Sequence, residues 1–178
     1  MTRRSLNNAP FLEAAYGRTP SRTPVWFMRQ AGRSLPEYRK LREGTSMLDA
    51  CFKPDMLAEI TMQPVRRHDV DAAILFSDIV IPLKAAGIDV EIVPGRGPVM
   101  AQAVRSPQDV RNLPVLDDEI TEVSEGIGLI LEELTDAQAL IGFVGAPFTL
   151  ASYLVEGGPS KNHERTKSLM HSDPDTWH

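Results

Sequence analysis

Three short stretches of the sequence join an apolar run to an abrupt polar tail. Val25–Met28 leads into Arg29-Gln30-Ala31-Gly32-Arg33, and Ala72–Phe76 leads into Ser77-Asp78. Ala139–Val144 leads into Gly145-Ala146-Pro147-Phe148-Thr149, with Tyr153 just beyond. Arg29 and Arg33 flank a glycine, so the backbone there can turn tightly and expose its amides. Two guanidinium forks on such a loop suit carboxylates or phosphates, because each fork binds two oxygens at once. The same pair could equally brace the loop by salt bridges. Asp78 offers a carboxylate that could orient donors or stabilise a developing cation. It could equally cap the segment that follows. The phenol of Tyr153 can hydrogen-bond a ligand, or its ring can pack on the core.

These tails need strands to position them. Val25–Met28 reads as a short strand. Ala72–Phe76 and Ala139–Val144 are continuous apolar runs, as strands covered on both faces are. Pro54 to about Arg67 predicts a helix with Pro at its first position, bent or shortened at Pro64. Ile79–Gly87 reads as a short helix. Ile88–Val93 and Val99–Val104 alternate around Pro94-Gly95-Arg96-Gly97-Pro98, a hairpin signal. Ser106-Pro107 opens another short helix. Asp117 and Asp118 open a longer one, with Ile120, Val123, Ile127, Ile130, Leu131 and Leu134 on one face. Pro147–Glu156 and about Lys161 to Met170, the latter ending before Asp173-Pro174, complete the set, and another helix starts at Asp175-Thr176-Trp177-His178.

Strand–helix alternation implies an α/β fold with parallel strands. Ligands in such folds bind at the carboxyl ends of the strands, so the three tails should meet at one mouth. A doubly wound sheet and a (β/α)₈ barrel both begin this way. A complete barrel takes about 250 residues. The 178 residues present suffice for the N-terminal portion of one.

Composition narrows the function classes. The chain is 42% hydrophobic and 24% charged, ordinary for a folded domain. No apolar stretch is long enough for a membrane span, and the first ten residues lack a signal core. Cys51 is the only cysteine, which rules out an internal disulfide and fits a cytoplasmic location. Residues 1–42 carry nine Arg or Lys against Glu13 and Glu37, although the whole chain has a net charge of −5. That pattern suggests a local anion site and not a nucleic-acid-coating surface. His68 stands at a helix end, where a favourable dipole interaction accounts for it, and His163, His171 and His178 have no ligand spacing with each other, so no metal site is proposed.

Taken together, Pro24-Val25-Trp26-Phe27-Met28-Arg29-Gln30-Ala31-Gly32-Arg33, continued by Leu35-Pro36-Glu37-Tyr38-Arg39, resembles the N-terminal signature of the uroporphyrinogen decarboxylase family. Ala72–Ile79 resembles that family's aspartate strand. Gly142–Leu150, Tyr153 and Glu156-Gly157-Gly158 resemble its second signature. The likeness runs from about residue 7 to the end. It implies the N-terminal part of a single (β/α)₈ barrel domain spanning residues 1–178. The implied activity is that of a carboxy-lyase of haem biosynthesis. It removes carbon dioxide from the four acetate arms of uroporphyrinogen III and yields coproporphyrinogen III, without metal or organic cofactor. On that resemblance Asp78 would bind the pyrrole NH groups and stabilise a protonated pyrrole. Arg29 and Arg33, with the Gln30, Ala31 and Gly32 amides, would hold carboxylates, and an arginine there would supply the proton. Tyr153 would hydrogen-bond a substrate arm.

Ser34 and Met47 depart from residues common in the family, Tyr and Phe respectively. The family's later strands, with a Ser or Thr and a His at the substrate, have no counterpart here, so this chain is expected to be inactive alone. Full-length members are homodimers, and no nucleic-acid or membrane partner is implied. The alternatives are a truncated, non-catalytic chain that binds porphyrinogen, and a corrinoid-dependent methyltransferase relative that would use zinc.

Overall fold

The computed structural model describes residues 6, 8–28, 34–116 and 119–178. They fall into two compact units, one drawn from residues 1–77 and 121–143, the other from 78–120 and 144–178.

In the first unit three short helices, α1 (Pro10–Ala15), α2 (Pro36–Leu41) and α3 (Met47–Cys51), precede α4 (Pro54–His68). Pro54 starts α4 with the fixed φ that a first turn needs. Pro64 does not shorten it; the helix runs on to His68 and ends where Asp69 turns left-handed at φ 47°. Strand β1 (Ala72–Ile74) and the later β4 (Ala139–Ile141), both shorter than their apolar runs, pair in parallel, Ala72 opposite Ala139. The amide of Leu75 adds one more bond, to the Ile141 carbonyl. Between these strands in sequence, α7 (Thr121–Glu133) packs on α4. Its expected opening at Asp117 and Asp118 lies outside the described residues.

Leu57, Met62, Val65, Val70, Ala73, Leu75, Ile130 and Leu134 form the core of this unit, with Val123, Ile127 and Leu140 against it. The predicted apolar face of α7 is therefore the one that packs. Gly126 allows a close approach of the two helices: a Cβ there would stand 2.8 Å from Leu57 Cδ2 and 3.3 Å from the Pro54 carbonyl. On the outside Arg66 bridges the same helices, bonding Glu59 and both oxygens of Glu133. These carboxylates raise the Arg66 pKa, and Arg66 lowers that of Glu133.

The expected strand Val25–Met28 is absent from the fold. The reason is Asp71. One of its carboxylate oxygens accepts the Val25 amide at 2.7 Å, and the Asp71 amide donates back to the Val25 carbonyl at 2.8 Å. A side chain takes the donor that a ladder would use, and Pro24 has none to offer.

In the second unit, α5 (Ile81–Ala85) is shorter than the expected Ile79–Gly87 because Ile79 and Val80 form a turn. The hairpin β2 (Val90–Val93) and β3 (Gly97–Met100) pairs antiparallel with Val93 opposite Gly97. Gly95 and Gly97 both adopt positive φ, which lets three residues close it. The second strand does not reach Val104, since those residues turn to α8 instead: the Val104 amide donates to the Leu154 carbonyl. The helix α6 (Pro107–Arg111) opens on the predicted Ser106 cap, completed as a capping box by Asp109. The helix α8 (Pro147–Glu156) ends at Gly157 in the left-handed conformation. Then come α9 (Glu164–Ser172) and α10 (Pro174–Trp177). The expected start of α9 at Lys161 moves to Glu164, because His163 sits left-handed at φ 55° and breaks the helix there.

Candidate active site

The tails of two strands leave the sheet at the same end, because β1 and β4 are parallel neighbours. The first is tied down before it reaches Asp78. Thr61 on α4 is 1% exposed; its hydroxyl donates to the Leu57 carbonyl at 2.8 Å and accepts the Phe76 amide at 3.0 Å. Asp78 itself is half-buried. One carboxylate oxygen accepts the Val80 amide at 3.0 Å, and its carbonyl accepts the Ile81 amide at 3.1 Å. The helix N-cap foreseen for Asp78 is not formed: the residue before α5 is Val80, which has no side-chain cap, and the Asp78 carboxylate instead closes a local turn onto the Val80 amide, which fixes its direction.

The tail of β4 comes up against this turn. A Cβ on Gly145 would stand 3.2 Å from the Ile79 carbonyl and 2.6 Å from Leu150 Cδ2. Only a residue without a side chain lets the backbone approach that closely. Gly145 therefore sets the spacing between the Asp78 turn and the start of α8, the helix that bears Tyr153.

Tyr153 is half-buried and lines a cleft of about 190 Å³ together with Phe148, Thr149, Pro159, Ser160 and His163. Its phenol makes no hydrogen bond among the described residues. The loop beyond it is pinned at both ends. Arg105 donates to the Val155 and Glu156 carbonyls at the end of α8, where a cation also meets the negative helix pole. The Met100 amide donates to the Gly157 carbonyl. The Glu156 carboxylate then accepts both the amide and the hydroxyl of Thr166 on α9. His163 donates its amide to the Ser160 hydroxyl and sets its ring edge-on to Phe148. Its Nδ1 is buried with no partner among the described residues. Such an orphaned polar group costs about 1–3 kcal/mol.

Arg29, Gln30, Ala31, Gly32 and Arg33 lie outside the described residues. Sequence reasoning passes over Asp71, which is 3% exposed and also accepts from Arg22 at 2.6 Å. It holds the segment leading to Arg29, yet in sequence it is one acid in a polar run before a strand. Sequence reasoning also sets His163 aside for want of ligand spacing. A larger groove of about 470 Å³ lies in the first unit between Asp55, Glu59, Arg66, Glu132 and Glu133, but Arg66 is already committed to carboxylates there. No group of three or more His, Cys, Asp or Glu side chains comes together among the described residues in a way that could hold a metal ion.

The family pattern described as uroporphyrinogen decarboxylase matches residues 6–178. The chain belongs to the uroporphyrinogen decarboxylase family. It is 78% identical over 177 residues to the uroporphyrinogen decarboxylase of Corynebacterium efficiens, covering 99% of this chain and 49% of that protein. It is 68% identical to the one from Nocardia farcinica, with 99% and 50% covered. The chain thus spans about half the length of the family members it matches. Among solved structures it resembles a methyltransferase from Methanosarcina mazei, with a TM-score of 0.69 at 20% identity, over 94% of this chain and 49% of that one. That likeness concerns the fold. With family membership it gives an α/β fold of the TIM-barrel type. No helix among the described residues is long and apolar enough to cross a membrane.

Proposed function

We propose that residues 1–178 are the N-terminal part of one uroporphyrinogen decarboxylase barrel. The complete domain removes carbon dioxide from the four acetate arms of uroporphyrinogen III to give coproporphyrinogen III. The observation that carries this reading is the Asp78 turn, packed under Gly145 after the parallel β1–β4 pair and followed by the helix of Tyr153.

The chemistry asks little of the protein beyond charge placement. Protonation of a pyrrole carbon makes the ring an electron sink. The bond from the acetate methylene to its carboxylate then breaks, the electron pair moves into the ring, and carbon dioxide leaves. Protonation of the resulting exocyclic methylene then gives the methyl group, and the ring carbon releases its added proton to restore the pyrrole, so one proton is taken up per arm. A fixed carboxylate at Asp78 stabilises the cationic ring and orients the pyrrole NH donors. Arg29 and Arg33, with the Gln30–Gly32 amides, hold the substrate's carboxylates, and one of these arginines is the proton source. Tyr153 holds an arm. No metal or organic cofactor enters these steps. For the complete domain we infer a homodimer in the cytoplasm.

The test joins this chain to the C-terminal half of the Corynebacterium efficiens relative and follows coproporphyrinogen formation chromatographically. The chimera is expected to turn over and the 178-residue chain alone is not. Asp78→Asn should cost at least about 100-fold in kcat, the scale of losing one preorganised electrostatic group. Retained turnover in Asp78→Asn sinks the assignment.

A further inference from the structure

We propose that Glu37 and Arg67 are a positioning pair for the loop of Arg29 and Arg33, so that the last turn of α4 holds that loop from both sides. The proposal deepens the decarboxylase reading and rests on it for the carboxylate-binding role of those two arginines.

The flanks of the loop meet α4 at adjacent residues. Phe27, two residues before Arg29, sets its ring edge-on to the ring of His68, with 6.0 Å between centroids and 84° between planes. Glu37, four residues after Arg33, accepts a two-bond fork from Arg67: Nε donates to one carboxylate oxygen at 2.8 Å and a terminal nitrogen donates to the other at 3.0 Å. Two parallel bonds fix direction as well as distance. The helix that bears Glu37, α2, is seated on the strand side too. Leu35 just before it is buried, and the Tyr38 ring stands edge-on to Phe76, two residues before Asp78. The far flank of the loop is therefore referred both to the end of α4 and to the strand tail that carries Asp78.

The helix dipole alone does not account for Arg67. A cation in the last turn meets the negative pole, but Arg66 and His68 stand there as well. Arg66 is committed to Glu59 and to Glu133 of α7. Arg67 instead reaches a residue 30 positions back in the sequence. Both partners are partly exposed, so the hold is worth at most about fivefold in an equilibrium constant. A hold of that size orders a loop in advance of binding and lowers the entropy lost when a carboxylate arrives.

The test uses the chimera with the Corynebacterium efficiens C-terminal half, under conditions where circular dichroism shows every variant folded. The probe is uroporphyrin, the fluorescent oxidised form of the substrate, which carries the same carboxylate arms. Arg67→Gln and Glu37→Gln should each weaken its binding about three- to fivefold. The direction decides the matter. Acting through charge alone, loss of Arg67 would weaken the binding of an anion and loss of Glu37 would strengthen it. Opposite shifts therefore overturn the pair. The double variant has the native net charge and should bind no better than either single variant; native affinity in it also overturns the pair. Arg66→Gln removes the same charge from the neighbouring residue and should leave binding within about twofold; a loss equal to that of Arg67→Gln overturns the pair again. A chimera that binds no uroporphyrin overturns the carboxylate role of the loop and this pair with it. One that binds it and releases no carbon dioxide overturns the decarboxylase reading alone, with the pair still judged by the affinities.

Discussion

Replacing Asp71 by asparagine separates two ways in which the segment before Arg29 could be held. The carboxylate serves two donors, the Arg22 guanidinium at 2.6 Å and the Val25 amide at 2.7 Å, one on each oxygen. An asparagine side chain has one oxygen and one amino group. Whichever way it is turned, a donor faces a donor. Arg22 is 60% exposed and can swing into water, so losing it costs at most about 1 kcal/mol. The Val25 amide is fixed in the backbone and cannot move away. The least costly arrangement therefore keeps the Val25 bond and leaves the new side-chain amino group buried without an acceptor, at about 1–3 kcal/mol. Relief of burying a charge offsets part of this, so the expected net loss is about 2 kcal/mol. With a urea m-value of about 2 kcal/mol/M, the midpoint should fall by about 1 M. Arg22→Gln should move it by less than half as much. An Arg22→Gln loss equal to or larger than that of Asp71→Asn would refute the reasoning, because the exposed ion pair and not the backbone bond would then be the anchor.

Other substitutions test other links. Thr61→Val keeps the shape but leaves the buried Phe76 amide without an acceptor; about 1–3 kcal/mol should be lost and the Phe76 amide should exchange faster with deuterium. Gly126→Ala gains about 1 kcal/mol of helix propensity but drives a methyl into Leu57, whose side chain is fully buried, so overpacking of about 1–3 kcal/mol should outweigh the gain and lower the thermal midpoint. Gly145→Ala should widen the gap between the Asp78 turn and α8, seen as shifted Val80 and Ile81 amide signals; unchanged signals would remove Gly145 as the spacer. Arg67 holds the exposed Glu37 carboxyl at a pKa of about 2, below its ordinary 4.5. Because the folded value is the lower one, the bridge contributes fully above pH 4.5 and is lost as pH falls through 2. A carbon-detected titration of Glu37 should show this midpoint, and Arg67→Gln should return it toward the ordinary value.

What can be read in advance is whatever a local rule decides. Ser106 with Asp109 caps a helix, Gly157 ends one, and the α7 apolar stripe meets a core. These depend on neighbours three or four residues away, and sequence carries them directly. The departures are decided at a distance. Val25–Met28 has the composition of a strand, but a carboxylate 46 residues on takes its amide. Pro64 should disturb α4, yet the helix continues to His68, with the packing of Met62 and Val65 into the core on its side. His163 is inert by any spacing rule along the chain, while its ring is placed by a left-handed turn that no such rule foresees.

The same distinction explains how the site is built. Asp78 and Tyr153 can be picked out because each stands in a long, recognisable stretch. What makes them useful is carried by residues of no chemical distinction. Thr61 holds the chain just before Asp78, Gly145 admits the backbone of one tail to within contact of the other, and Glu156 locks the end of α8 to the start of α9. None of these touches a reacting atom in the proposed chemistry. Each removes a freedom that a carboxylate or a phenol would otherwise have to lose on binding, and a group already held in place gives up less entropy when substrate arrives. Substitutions at Thr61, Gly145 and Glu156 should therefore weaken binding in proportion to the order they remove, even where the charge of the site is untouched.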